Sequence, residues 1–121
     1  TGIGVVSPVG TGQNDFLDSI RKGKSGIRFI TELRDLNFNC QIGGLPEIYN
    51  SPYLDILKKY NLSDAGTAVL YALLAGLEAW DDAGFTLPEY NSPVIDTETG
   101  IIIGSGIGSM DIIGQTGAPC K

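Results

Sequence analysis

The segment from Asp64 to Ala83 constrains the fold of this chain more than any other feature of its sequence. Its interior is apolar almost all round, with alanine and leucine as the main residues. Ser63 is a suitable N-cap for a helix here, and Gly84 is typical of a helix end. A helix that is apolar on nearly every side is normally buried on several sides. The chain has 121 residues, so it has little material with which to surround this helix.

A second apolar element follows at residues 100–104, which read Gly-Ile-Ile-Ile-Gly. Three successive β-branched residues without alternation predict a fully buried strand. A glycine-rich turn at residues 105–109 comes next, and then the start of a helix at Met110. Because neither buried element has visible partners, we expect the chain to be a segment of a larger fold. Its start at Thr1, without a methionine, supports the same expectation.

The remaining elements are shorter, and together with these two they predict the α/β class. We expect the end of a strand at residues 1–6, a loop at residues 7–12 and a helix from Gln13 to Lys22 that Gly23 ends. Alternation of Phe38, Cys40 and Ile42 with polar residues predicts a half-buried strand. A short helix is expected from Tyr53 to Tyr60.

The residue counts exclude several classes of function. The chain has no histidine, so it cannot assemble a Ser-His-Asp or Cys-His site or a histidine metal site by itself. Two cysteines cannot hold a structural zinc ion, and a net charge of -6 argues against nucleic-acid binding. No apolar run approaches the ~20 residues that span a membrane. We expect a cytoplasmic protein with reduced cysteines and no membrane partner.

Two glycine motifs raise the question of nucleotide binding. In the first, at residues 2–7, Pro8 and further glycines separate the motif from the next helix, whereas a dinucleotide turn needs a helix at once. The second, Gly104-Ser105-Gly106-Ile107-Gly108, lies between a strand and a helix but lacks the Gly-Lys-Ser/Thr ending of a phosphate loop. Its alternative interpretation is a tight connection packed against neighbouring backbone.

Taken together, these motifs point to a known family. The first ten residues, TGIGVVSPVG, closely resemble the N-terminal signature of the β-ketoacyl-acyl carrier protein synthases, the condensing enzymes of fatty-acid and polyketide synthesis. The motifs GKSGI at residues 23–27, AWDDAG at residues 79–84 and GSGIG at residues 104–108 also resemble the family and follow in its order. The resemblance covers the whole chain.

The resemblance implies a partial thiolase-like fold, namely the start of the first of two α/β halves, layered α-β-α, in a homodimer. Residues 1–121 would form the N-terminal part of the synthase N-terminal domain. The complete enzyme would use acyl and malonyl thioesters, acyl carrier protein and a Cys-His-His site. Neither Cys40 nor Cys120 matches the family's nucleophile motif, so no catalytic residue, metal or cofactor is assigned, and the segment alone should be inactive. A non-catalytic partner subunit that resembles chain-length factors is the alternative.

The resemblance assigns roles to a few residues of this chain. Ile107, within the turn formed by Gly104, Gly106 and Gly108, would line the acyl-chain pocket, although a simple core role is equally compatible with the sequence. Lys58, with Lys59 beside it, would dock the acidic carrier protein; an exposed lysine without such a role is the alternative. The family's following Arg-Lys pair is replaced here by Asn61-Leu62, so this docking patch is thinner than usual.

Overall fold

The chain folds into a mixed arrangement of helices and short strands. The computed structural model describes residues 1–62, 64–87, 93, 96–106, 108 and 110–112. The elements, in chain order, are β1 (Val6–Ser7), β2 (Gly10–Thr11), α1 (Gln13–Arg21), β3 (Ile27–Phe29), α2 (Thr31–Asp35), β4 (Ile42–Gly44), α3 (Leu54–Lys59) and α4 (Thr67–Asp82). Residues 110–112 are also helical. The helices α1 and α3 therefore confirm two predictions to within two residues.

Residues 7–12, which the sequence predicts as a loop, contain a small hairpin instead. Strand β1 pairs antiparallel with β2, with Val6 opposite Thr11 and Ser7 opposite Gly10. Only Pro8 and Val9 connect the two strands, and proline suits a tight turn because its φ is already restricted. The proline and glycines therefore shape a turn between paired strands.

The alternating strand predicted around Phe38 and Cys40 is wrong. Only Ile42–Gly44 form a strand, β4, which pairs antiparallel with β3. Phe38 is 54% exposed, Ile42 is 57% exposed and Cys40 is also exposed. An alternating pattern predicts a buried face only if another layer covers the strand, and the described residues place no such layer on this ribbon.

Helix α4 begins at Thr67, three residues later than the sequence predicts, with Gly66 as its N-cap. Ser63, the predicted N-cap, lies outside the described residues. The predicted end is confirmed, since Gly84 has a φ of +78° and the Phe85 amide donates to the Trp80 carbonyl at 3.2 Å. This is the Schellman arrangement, in which a left-handed glycine satisfies the last carbonyls of a helix.

The N-terminal segment lies directly against α4, and two glycines make this contact possible. A Cβ atom on Gly2 would lie 1.8 Å from the Ala79 carbonyl oxygen, and one on Gly4 would lie 1.8 Å from that of Ala75. The two glycines are two positions apart, and the two alanines are four positions apart. Two residues of extended chain span ~6.6 Å and four helical residues span ~6 Å, so the two spacings match.

Two carboxylates of α4 hold the same segment through its backbone amides. The Ile3 amide donates to Asp82 and the Val5 amide donates to Glu78, each at 2.9 Å. The Ile3 amide is the main cause that holds the pKa of Asp82 below its ordinary value. Glu78 also accepts a 2.7 Å bond from the amide of Gln13, the first residue of α1. Because the N-cap of α1 is a glycine without a side chain, Glu78 supplies the cap from α4.

Helix α3 is tied to α4 by a further carboxylate contact. The Tyr53 hydroxyl, just before α3, donates to Asp81 at 2.9 Å. Burial, followed by this hydrogen bond, raises the pKa of Tyr53 to about 12. Near this contact, Leu57 and Leu74 are the large side chains that are fully buried among the described residues. The core is therefore small, and α3 and α4 each contribute one fully buried leucine to it.

The strand predicted at residues 100–104 is wrong for the chain as it stands. These residues form no strand, and Ile101, Ile102 and Ile103 are 80%, 100% and 71% exposed. A strand that is apolar on both faces needs neighbouring strands and a cover on each face. No described residue pairs with them. Ala68, Val69, Ala72 and Gly76 of α4 are exposed as well, which agrees with the expectation that this chain has too little material to surround the helix.

The close approach at Gly4 leads to a stability prediction. We expect Gly4→Ala to lower the free energy of unfolding by at least about 1–3 kcal/mol, because the added carbon overlaps a helix carbonyl that cannot easily move. Gly100→Ala is the matched control, since its added carbon meets no atom within 4 Å. Urea unfolding followed by circular dichroism would measure both variants. Equal midpoints for the two variants would contradict the close approach.

The bridging role of Glu78 leads to a second stability prediction. Glu78→Gln leaves one acceptor oxygen and turns an amide group towards one of the two backbone donors. We therefore expect the free energy of unfolding to fall by about 1–3 kcal/mol. The control is Glu32→Gln, at an exposed residue in the first turn of α2. Its free energy of unfolding should stay within about 0.5 kcal/mol of the wild-type value. Thermal unfolding of both variants would test this, and an unchanged Glu78→Gln variant would refute the cap.

Candidate functional site

An apolar cleft lies along the uncovered side of α4. It has a volume of about 570 Å³ and separates the helix from residues 101–105 and Gly108. Its lining is Ala68, Val69, Ala72, Leu73, Gly76, Leu77, Trp80, Leu87, Ile101, Ile103, Gly104, Ser105 and Gly108. No described residue that lines the cleft carries a charge. Such a lining suits an apolar ligand or another apolar part of a protein.

The sequence of α4 explains the shape of this cleft. Ala68, Ala72 and Gly76 recur every four residues, so their small side chains form a trough along one helix face. Trp80 closes the end of this row, and its indole N–H donates to the Thr86 carbonyl at 3.1 Å. The Phe85 ring packs on Trp80 with 5.0 Å between the ring centroids. These contacts fix the orientation of the largest side chain in the cleft.

The glycine-rich turn forms the opposite side of the cleft. Gly104, Ser105 and Gly108 line it, whereas Gly106 does not. Ile107, the predicted acyl-pocket residue, lies outside the described residues. A Cβ atom on any of the three glycines would meet no atom within 4 Å. The alternative that this turn is packed tightly against neighbouring backbone is therefore wrong for the described residues.

Sequence reasoning missed one contact that joins the turn to α4. Both the amide and the hydroxyl of Thr67 donate to Oδ2 of Asp111, at 2.8 Å and 2.6 Å. The Thr67 hydroxyl is the main cause that keeps the pKa of Asp111 below its ordinary value, followed by the Thr67 amide. An acidic residue soon after a glycine-rich turn was the available signal, but its distant partner could not be identified from spacing.

The carboxylates of α4 were missed in the same way. Glu78 and Asp82 are four positions apart, so they lie on one helix face, where they contact the N-terminal segment. Their spacing was visible in the sequence, whereas the backbone amides that they bind were not. These contacts also explain the first glycine motif, because Gly2 and Gly4 bring the chain against α4. Close packing on the helix thus accounts for glycines that could suggest a nucleotide loop.

The structure places Lys58 and Lys59 at the C-terminal end of α3, and neither lysine lines the cleft. The Lys58 ammonium lies 3.0 Å from Asp55, with both side chains largely exposed. The Lys59 ammonium lies 5.8 Å from the centre of the Tyr60 ring. Ion pairs this exposed are weak, so an acidic partner can compete for Lys58.

Among the described residues, no three of the histidine, cysteine, aspartate and glutamate side chains come close enough together to hold a metal ion. Cys40 is a free, exposed thiol, and Cys120 lies outside the described residues. None of the described helices has the length and apolar character required to span a membrane.

Comparison with known proteins places the chain in a family. The family described as "Beta-ketoacyl synthase, N-terminal domain" matches residues 1–118. The chain is 34% identical over 109 residues to 3-oxoacyl-[acyl-carrier-protein] synthase 1 of Haemophilus influenzae, and 36% identical over 110 residues to that of Escherichia coli K12. It is 34% identical over 110 residues to 3-oxoacyl-[acyl-carrier-protein] synthase 2 of Coxiella burnetii.

These alignments cover 90%, 90% and 91% of this chain, in the same order. They cover only 25% of each relative, so the chain spans about a quarter of the length of the curated relatives that it matches. The match to the family extends over nearly the whole chain, as the order of its glycine motifs predicts. The chain therefore belongs to the β-ketoacyl synthase family, as part of its N-terminal domain.

Proposed function

We propose that the chain is the first part of a 3-oxoacyl-acyl carrier protein synthase and supplies a wall of its acyl-binding region. The cleft between α4 and the glycine-rich turn carries this proposal. It is apolar, it is about 570 Å³ in volume, and no described residue in its lining is charged. An acyl chain binds by burial of its methylene groups, at about 0.8 kcal/mol for each.

The proposed reaction of the complete enzyme is a decarboxylative condensation. An acyl group bound as a thioester to a cysteine reacts with malonyl-acyl carrier protein. The carboxylate leaves as carbon dioxide, a new carbon–carbon bond forms, and the cysteine recovers its thiol with one proton. The products are a 3-oxoacyl-acyl carrier protein and the free thiol. The nucleophile and its histidines would come from the remainder of the enzyme, because this chain has no histidine.

The proposal also accounts for the apolar surface that the chain leaves exposed. In a layered α-β-α, thiolase-like arrangement, residues 100–104 would enter a sheet as a strand, paired with strands from the remainder of the enzyme. The exposure of Ile101, Ile102 and Ile103 supports this, since a soluble protein rarely exposes three adjacent isoleucines. A homodimer of the complete enzyme is part of the same proposal.

The function is tested with the complete polypeptide that contains this segment, incubated with acyl- and malonyl-acyl carrier protein. We expect mass spectrometry to detect the 3-oxoacyl product, and no product from the 121-residue chain alone.

A substitution at Ile107 tests its predicted place in the acyl pocket. In the complete enzyme, Ile107→Phe should slow the condensation of long acyl primers by roughly 5- to 150-fold, because overpacking costs about 1–3 kcal/mol. Short primers should react almost normally.

A complete polypeptide without condensing activity would refute the enzyme and favour the non-catalytic partner subunit. An equal loss for long and short primers would show that Ile107 acts on folding and does not line the pocket.

The proposed docking role of Lys58 has its own test. We expect Lys58→Glu to raise KM for malonyl-acyl carrier protein by about 3- to 10-fold with little change in kcat, because a surface charge mainly affects encounter with a charged partner. Lys22→Glu is a matched control, since Lys22 is an exposed lysine that also pairs with an aspartate, Asp18. A malonyl thioester without the carrier protein should be used equally well by all variants. An equal KM for both lysine variants would contradict docking at Lys58.

A further inference from the structure

The contact between Thr67 and Asp111 joins two parts of the chain that are 44 residues apart. Thr67 is the first residue of α4, and the N-cap before it, Gly66, makes no side-chain hydrogen bond. The first amides of a helix have no partner within the helix itself. Asp111 therefore supplies a cap from outside the helix, through one oxygen that accepts both the amide and the hydroxyl of Thr67.

The electrostatics of this contact favour an ionised carboxylate. The N-terminal end of a helix carries a partial positive charge, and the first turn of α4 contains no acidic residue of its own. Asp111 is the negative group that the structure places there. The hydroxyl of Thr67, followed by its amide, lowers the pKa of Asp111, so both hydrogen bonds favour the charged carboxylate.

The position of this contact relates it to the cleft. Thr67 immediately precedes Ala68 and Val69, which line the cleft from α4, and Asp111 comes three residues after Gly108, which lines it from the turn. The contact therefore joins the two sides of the cleft. A Cβ atom on Gly104, Gly106 or Gly108 would meet nothing within 4 Å, so these glycines make no close approach of the kind seen at Gly2 and Gly4.

We propose that the Asp111–Thr67 contact is a positioning device that holds the glycine-rich turn against α4 and so limits the length of acyl chain that the cleft accepts. The inference rests on the proposed function, since it assigns the acyl chain to this cleft. Loss of the contact lets the turn move away from the helix. The cleft then widens, and kcat/KM rises more for long acyl chains than for short ones.

The test uses the complete enzyme and two readouts. The first is the ratio of kcat/KM for a long primer to that for a short primer, which we expect to rise by about 3- to 10-fold in Asp111→Ala, as for loss of a charged hydrogen bond at an exposed site. Thr67→Ala should raise the ratio by less, because the amide remains. Thr67→Ser should retain the wild-type ratio, because it keeps the hydroxyl. The double variant, with both Thr67→Ala and Asp111→Ala, should raise the ratio no further than Asp111→Ala alone, because both substitutions remove the same contact.

The second readout is hydrogen exchange of the first turn of α4, measured by mass spectrometry on peptides that cover residues 67–70. We expect faster exchange in Asp111→Ala than in the wild type, whether or not the protein condenses acyl groups. Asp96→Ala is the matched control for both readouts, since Asp96 is an exposed aspartate that bonds only within its own loop, to Glu98 and Thr99, among the described contacts.

The two readouts separate the possible failures. An unchanged primer ratio in an active Asp111→Ala enzyme, or an equal loss of activity for all primers, would overturn the inference. Unchanged hydrogen exchange would overturn the contact itself. An inactive wild-type enzyme would refute the proposed function, and faster exchange in Asp111→Ala would then still support the contact. A change of the same size in Asp96→Ala would overturn the assignment to Asp111.

Discussion

The structure depends on the supply of hydrogen-bond acceptors to helices that do not cap themselves. Both α1 and α4 begin after a glycine that has no side chain to offer. Each receives a carboxylate from a distant part of the chain, Glu78 for α1 and Asp111 for α4. A local cap stabilises only its own helix, whereas a distant cap also sets the position of one element relative to another. The helix ends thus become points of assembly.

Close packing between backbones follows from the same arrangement. Glu78 and Asp82 can reach the amides of Val5 and Ile3 only because the N-terminal segment lies directly on α4. That position requires glycine, since a Cβ atom on Gly2 or Gly4 would overlap a helix carbonyl. The glycines and the carboxylates therefore form one unit, in which sterics permit the contact and hydrogen bonds hold it.

The other face of α4 carries apolar surface that the described part of the chain does not bury. Its trough of small residues and the neighbouring isoleucines expose apolar surface along a cleft of about 570 Å³. Apolar burial is the main source of folding stability, so surface of this kind is kept where a ligand or further polypeptide covers it. Membership of a family whose relatives are about four times as long agrees with such a cover. The proposed acyl-binding role uses the same surface.

Local patterns in the sequence determined α1, α3 and the C-terminal end of α4, whereas α2 and the start of α4 were not predicted. Gly23 and Gly84 end α1 and α4 as predicted, because a left-handed residue is a local requirement that glycine meets. The order of the glycine motifs was enough to identify the family. Only the tertiary structure decided which groups cap α1 and α4, since Glu78 and Asp111 act on partners 65 and 44 residues away.

The tertiary structure also decided the exposure of residues 38–42 and 100–104. An alternating pattern or a run of β-branched residues indicates which faces of a strand are apolar. Whether those faces are buried depends on a covering layer from elsewhere in the protein, which a local pattern does not reveal.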